Sequence, residues 1–210
     1  MEPLEEGYYY HIYNRGAGKT PIFLSDDDCN LFMSKYFYYL FITAETYAWC
    51  LLKNHYHLLI RVRTIEEQEQ IFSKIKEKHP SGTFYGDRFE NPKPFLTFRQ
   101  LGHLFNSYTK VFNKKHNRTG TLIEGSYKRK KITDEDHLLH VACYIHRNPL
   151  HHRIVKSYID YPYSSYRYII EEKKTFTESI KLLSLFGGKE NFKAAHQEFK
   201  YMLGEEYYLE

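Results

Sequence analysis

"LLKNHYHLLIRV", Leu51 to Val62, holds two histidines one residue apart within an otherwise apolar run. A strand sends residues i and i+2 to the same face, so His55 and His57 point together and Tyr56 points away. Lys53 and Asn54 suit a two-residue turn. The preceding "AETYAWCLLK" and the following "HYHLLIRV" are then the arms of a β-hairpin. Two convergent imidazoles are either the start of a metal site or two histidines on a wet face, and the rest of the chain has to decide.

Upstream, "YYYHIYNRG" (Tyr8 to Gly16) reads as a strand of aromatic and β-branched residues, ended by Gly16 and Gly18. Ser25 is placed to cap a helix whose first turn is acidic and whose Leu31, Phe32, Tyr36 and Tyr39 recur at helical spacing. Downstream, "TIEEQEQIFSKIKEKHP" suits a short amphipathic helix, and "SGTFYGDRFENPKPF" is a Gly- and Pro-marked loop. A longer helix follows in "LTFRQLGHLFNSYTKVFNKKHN", with Leu101, Leu104, Phe105, Tyr108, Val111 and Phe112 as its apolar stripe. "RTGTLIEGSYKRKKIT" gives a turn and a basic strand. "TDEDHLLHVACYIHRNPL" is a helix that Thr133 and Asp136 start as a capping-box-like pair and Pro149 ends. The order βαββ, loop, αβα predicts a compact α+β sheet with helices packed on one side. A domain over residues 1–170 and a C-terminal helical extension over 171–210 are expected.

Composition narrows the function. The formal charge of +4 is modest, but Lys110, Lys114, Lys115, Arg118, Lys128, Arg129, Lys130 and Lys131 crowd one segment against Glu124 alone. Such a local excess is the footprint of a phosphate-binding surface or of a solvated face. Along a strand Lys128 and Lys130 share one side, Arg129 and Lys131 the other. Tyrosine is abundant, 21 residues against a single Trp, and Tyr127, beside the basic run, is the best candidate for stacking on a base. Three scattered cysteines with no CxxC pair suggest buried thiols in a reducing compartment. The acidic "MEPLEEGYYY" is unlike a secretory leader, and no run has the length of a membrane span. A cytoplasmic protein is expected.

On the last helix Tyr144 and Asn148 stand four residues apart and share a face. His140 is assigned to that face too, and Leu139, Ala142 and Ile145 to the apolar side. If the helix meets the hairpin, His55 and His57 offer two nitrogens and Asn148 a carbonyl oxygen. That mixed set suits Mn²⁺ or Mg²⁺ with positions open for phosphate oxygens. Tyr144 is then the candidate covalent nucleophile. Zinc fits less well, since no further Cys or His cluster stands at ligand spacing.

"NHYHLLI" resembles the His-hydrophobic-His motif of single-tyrosine transposases of the insertion-sequence and REP-associated type. "LFNSYTKVFNKKHNRTGTL", "YKRKKI", "YIHRNPL" and "YPYSSY" are similar to this family in order and spacing. The resemblance runs from Tyr8 to Tyr168, and "FGGKENFKAAH" is similar to the tail of some members. It implies a ferredoxin-like antiparallel sheet with helices packed on it, and cleavage of single-stranded or hairpin DNA through a 5′-phosphotyrosine. The family's nucleophile falls on Tyr144 and its polar residue one turn later on Asn148. The resemblance also allows a homodimer, since some relatives dimerise and others act alone. Lys53 stands where the family commonly has Pro, and the segment Thr64 to Phe95 is longer than in the smallest members, as a DNA-reading element or, the favoured reading, a tolerated insertion would be. Two other readings stay open: an inactive DNA-binding descendant, and a metal-dependent nuclease that uses water.

Overall fold

The computed structural model describes residues 4–78, 95–173 and 175–199. Strands β2 (Ala44–Leu52) and β3 (His55–Val62) are joined by Lys53 and Asn54, with Leu52 facing His55 across the turn. β1 (Tyr9–Arg15) pairs with the free side of β3, and β4 (Lys128–Ile132) with the free side of β1. The sheet is antiparallel throughout, in the order β2-β3-β1-β4. β1 and β2 therefore run the same way with β3 between them, which requires helix α1 (Asp26–Leu40) as a crossover. Helix α3 (Thr97–Lys115) returns the chain to β4, completing a ferredoxin-like path. The amphipathic segment after β3 is helix α2 (Ile65–Lys78). Residues 79–94, which hold most of the expected loop, lie outside the described residues.

Both faces of the sheet are covered. β2 is buried at every position and β3 at all but two, the pattern of strands that carry apolar side chains on either side. Tyr10, Ile12, Trp49, Leu51, Tyr56, Leu58 and Ile60 form one core with α1 and α3. Cys50, Leu52, Leu59 and Ile132 form the other with helix α4 (Glu135–His151). The expectation of helices on one side is thus corrected. Once alternate residues of β2 and β3 are apolar in both directions, a single layer of helices leaves one set in water.

Local chemistry sets the helix ends. Asp28 accepts from the backbone amides of Leu24 and Ser25, closing the start of α1 as expected. Helix α4 is capped by Asp134, which accepts from the His137 amide at 2.8 Å, and not by Thr133. It continues to His151, since Pro149 falls in the last turn, where a proline forfeits one hydrogen bond and no more of the helix. Val111, placed in the α3 stripe by spacing, faces outward, whereas Tyr108 and Phe112 are in the core. The three cysteines are free thiols and all buried.

Past α4 the chain turns back along β2. Tyr163 O accepts from Leu51 N, and Ser165 N donates to Trp49 O, so "YPYSSY" covers a strand edge that would otherwise be open to pairing. Helices α5 (Tyr166–Ile170), α6 (Ser179–Leu185) and α7 (Lys189–Glu198) follow. Leu182, Leu183, Phe186 and Phe192 share one apolar cluster with α4. Residues 200–210 of the expected extension lie outside the described residues. Phe192 is fully buried and packs at 4.9 Å from Phe186 and 5.5 Å from Tyr166, ring to ring. Phe192→Ala should therefore cost roughly 3–5 kcal/mol, read as a lower urea midpoint at unchanged slope. A midpoint like that of the wild type would mean that α7 is only loosely attached.

Candidate active site

The hairpin and α4 meet. β3 lies with His57 opposite Tyr13 of β1 and Cys50 of β2, on the face that α4 covers. Tyr144 stands edge-on to His57 and His11, at 5.4 and 5.9 Å between ring centroids. One helical turn on, Asn148 Oδ1 lies 3.2 Å from His55 Nε2. His140 is not part of this group, since its ring packs 4.7 Å from Phe199 on the C-terminal side of α4.

Each imidazole of the pair is held through its Nδ1. His55 Nδ1 lies 2.8 Å from Asn54 Oδ1; an amide oxygen only accepts, so His55 donates there, and in the neutral ring Nε2 is the nitrogen that carries the electron pair. In that form Nε2 faces the side-chain amide of Asn148, whose oxygen can share a cation with it. His57 Nδ1 lies 2.9 Å from His11 Nε2. Among the described residues, buried His57 Nε2 and Asn148 Nδ2 have no hydrogen-bond partner. Burial holds both buried histidines neutral. It lowers the pKa of His11 to about 3, aided by His137 and Lys130, and that of His57 well below its ordinary value, aided by His11, His55 and His152.

These are donors that fit a divalent ion of mixed nitrogen and oxygen preference. No group of three or more His, Cys, Asp or Glu suited to a metal occurs among the described residues; the side-chain oxygen that faces His55 Nε2 is that of Asn148. The pair opens onto a cleft of about 430 Å³ walled by Tyr13, Asn14, Arg15, Lys19, Asn54, His55, His57, Lys128 and His152. Tyr144 is 1% exposed and is not part of that wall.

The basic residues divide sharply. Lys128 and Lys130 pair with Tyr13 and His11 of β1, which puts them on the histidine face as their alternation predicts. On the opposite face Arg129 donates to Tyr127 Oη and Lys131 is bound to Glu5. Lys110 and Lys114 are exposed on α3, the helix on the far side of the sheet. Arg118 is bonded to Asn113, and Lys115 to Asp28 at 2.9 Å. Tyr127, expected to stack on a base, is corrected: at 9% exposure its ring packs against Phe105 in the core.

Sequence reasoning passed over His11, Asn54, Tyr13, Lys19 and His152. The alternation of Tyr9, His11 and Tyr13 with Tyr10 and Ile12 was the available signal for His11, because it marks a less apolar face. His152, whose ring lies 4.7 Å from His55, follows Asn148 by one helical turn.

A solved structure, that of a REP-associated tyrosine transposase bound to a REP hairpin, is similar to this chain with a TM-score of 0.56. The match covers 81% of this chain and 84% of that one at 14% sequence identity. The two chains share a fold. No protein-family model matches the sequence, and no curated protein matches it. Among the described residues no helix is long and apolar enough to cross a membrane.

Asp28 supplies a pH test of the basic segment. Burial raises its carboxyl pKa, but hydrogen bonds from Lys115, His116 and the Leu24 amide outweigh that and hold it at about 2. A carboxyl lowered on folding stabilises fully above its unfolded value, and the stabilisation is lost as pH falls through the folded one. The difference in urea midpoint between wild type and Lys115→Ala should be constant at neutral pH and shrink from about pH 4 towards pH 2. A difference independent of pH would mean that Lys115 does not serve Asp28.

Proposed function

We propose that the chain is a single-tyrosine DNA strand transferase of the transposase type, acting on single-stranded or hairpin DNA. The observation that supports this reading is the convergence of Tyr144 and Asn148 of α4 on His55 and His57 of β3. A His-hydrophobic-His pair and a helix with Tyr-x-x-x-Asn are each common alone. Their meeting on one face, with Lys128 and Lys130 beside them, is what strand cleavage requires. The fold shared with a tyrosine transposase bound to a hairpin agrees with it.

In this reading His55, His57 and Asn148 hold Mg²⁺ or Mn²⁺, which when bound polarises the scissile phosphate and offsets its developing charge. Lys128 and Lys130 hold neighbouring phosphates. Tyr144 Oη bonds to phosphorus as the bond to the 3′ oxygen breaks, and the proton lost by the phenol is matched by the one gained at the 3′-OH. The energy of the phosphodiester is kept in the phosphotyrosine, so a returning 3′-OH can rejoin the strand without a nucleotide cofactor. Tyr144 must be uncovered for this, because its ring is buried. That burial is the observation in favour of a second reading, a nuclease in which water attacks the held phosphate.

Labelled hairpin-bearing single strands with Mn²⁺ or Mg²⁺, run on denaturing gels, separate the two readings. The wild type should give a metal-dependent protein–DNA adduct, and Tyr144→Phe and His57→Ala should give none. Cleavage that persists in Tyr144→Phe without any adduct would establish the water nuclease. Salt-sensitive binding with neither adduct nor cleavage would mark an inactive DNA-binding descendant.

Binding tests the lysines separately. Lys128→Ala should weaken binding to all single strands alike and reduce the slope of log K against log salt by roughly 0.7. Lys131→Ala, on the other face and bound to Glu5, should leave that slope unchanged.

A further inference from the structure

We infer that His11 is a positioning residue that fixes His57 as its Nδ1–H tautomer, so that Nε2 is the nitrogen left with an electron pair. The inference deepens the reading of His57 as a metal ligand and rests on it for its functional meaning. His11 Nε2 and His57 Nδ1 are 2.9 Å apart, so one of them donates. If His11 donated, the proton of neutral His57 would sit on Nε2, which is buried and has no acceptor among the described residues. Orphaned buried N–H groups are the rarest kind of unpaired polar group. If His57 donates, both rings keep a single proton, the short contact is satisfied, and Nε2 can serve as a ligand. A histidine that binds metal through one nitrogen has its ring oriented through the other.

The packing fixes His11 for this task. It is 2% exposed. Its ring lies 4.8 Å from Tyr13, 5.1 Å and nearly parallel to His57, and 5.9 Å edge-on to Tyr144. One side chain thus touches both the candidate ligand and the candidate nucleophile. A side chain that only filled this space would need no acceptor at Nε2, and leucine would serve as well.

The test is the ¹⁵N spectrum of the histidine side chains in metal-free full-length protein, followed by titration with Mn²⁺. In the wild type His57 should carry its proton on Nδ1, and Mn²⁺ should broaden its signals. His11→Gln, whose amide oxygen can accept the same hydrogen bond, should keep that tautomer and bind Mn²⁺ within about threefold of the wild type. His11→Leu should lose the single tautomer and bind Mn²⁺ roughly 10- to 100-fold more weakly. A wild-type His57 protonated on Nε2 would overturn the inference, whatever the variants do. So would His11→Leu with an unchanged tautomer and Mn²⁺ affinity. A wild-type Nδ1–H without broadening by Mn²⁺ would uphold the role of His11 and overturn the metal reading. Should His11→Leu fail to fold, the wild-type spectrum and His11→Gln still decide.

Discussion

The pairing of β1 with β3 is the constraint on which the site depends. Its register sets His57 opposite Tyr13 and His11 opposite Leu59, and it puts both histidines on the face that α4 covers. A slip of one residue would exchange the two faces of β3. Tyr56, Leu58 and Ile60 would then meet α4, and the histidines would be driven into the aromatic core of α1 and α3. Because both faces are buried, no such slip leaves an acceptable core, and the position of the imidazoles follows from the hydrophobic pattern of their neighbours.

Helix α4 is held from two sides, and its far side explains how a helix carrying polar residues inward keeps one position. Phe192 O can only accept, so His196 Nδ1 donates to it at 2.7 Å. His196 Nε2 then accepts from His146 Nδ1, and His146 Nε2 accepts from Ser165 Oγ, each at 2.8 Å. Every proton in this chain is assigned by the fixed acceptor at its end. Burial lowers the pKa of His146 well below its ordinary value and that of His196 to about 3, so the chain holds no buried charge. It joins α7, α4 and the segment that covers β2. The C-terminal helices therefore brace the helix that presents Tyr144 and Asn148.

Much of this was legible in the sequence wherever local spacing carries the information. The shared face of His55 and His57 and the pairing of Tyr144 with Asn148 rest on periods of two and four residues, and the Lys53–Asn54 turn and the start of α1 on turn and cap residues within a few positions. What could not be read were contacts between distant segments. Tyr127 is adjacent to lysines in sequence, yet its parity on the strand turns it into the core. His140 is one turn from Tyr144, but the drift of a helix over successive turns carries it towards Phe199. Lys115 looked available for phosphates because nothing local indicated that Asp28, 87 residues away, would bind it. His11 lies 46 residues from His57, and only the sheet brings them together.

The charge of the site gives the last step. In the proposed reading imidazoles and an amide oxygen bring no negative charge to a divalent cation, and the cleft they open onto is walled by Lys19 and Lys128. Such a donor set is electrostatically incomplete until an anion joins it. In the proposed reading the DNA phosphate is that anion, so cation and strand each improve the site for the other, by the same factor in both directions. In that reading the lysines favour the strand and disfavour the bare cation, so that the site would depend on both. A carboxylate in place of Asn148 would hold the cation without DNA, at the cost of repelling the phosphate that is to be cut. Neutral ligands on a basic face would reconcile these demands, which is the role the proposed reading gives to an asparagine on the helix turn next to Tyr144.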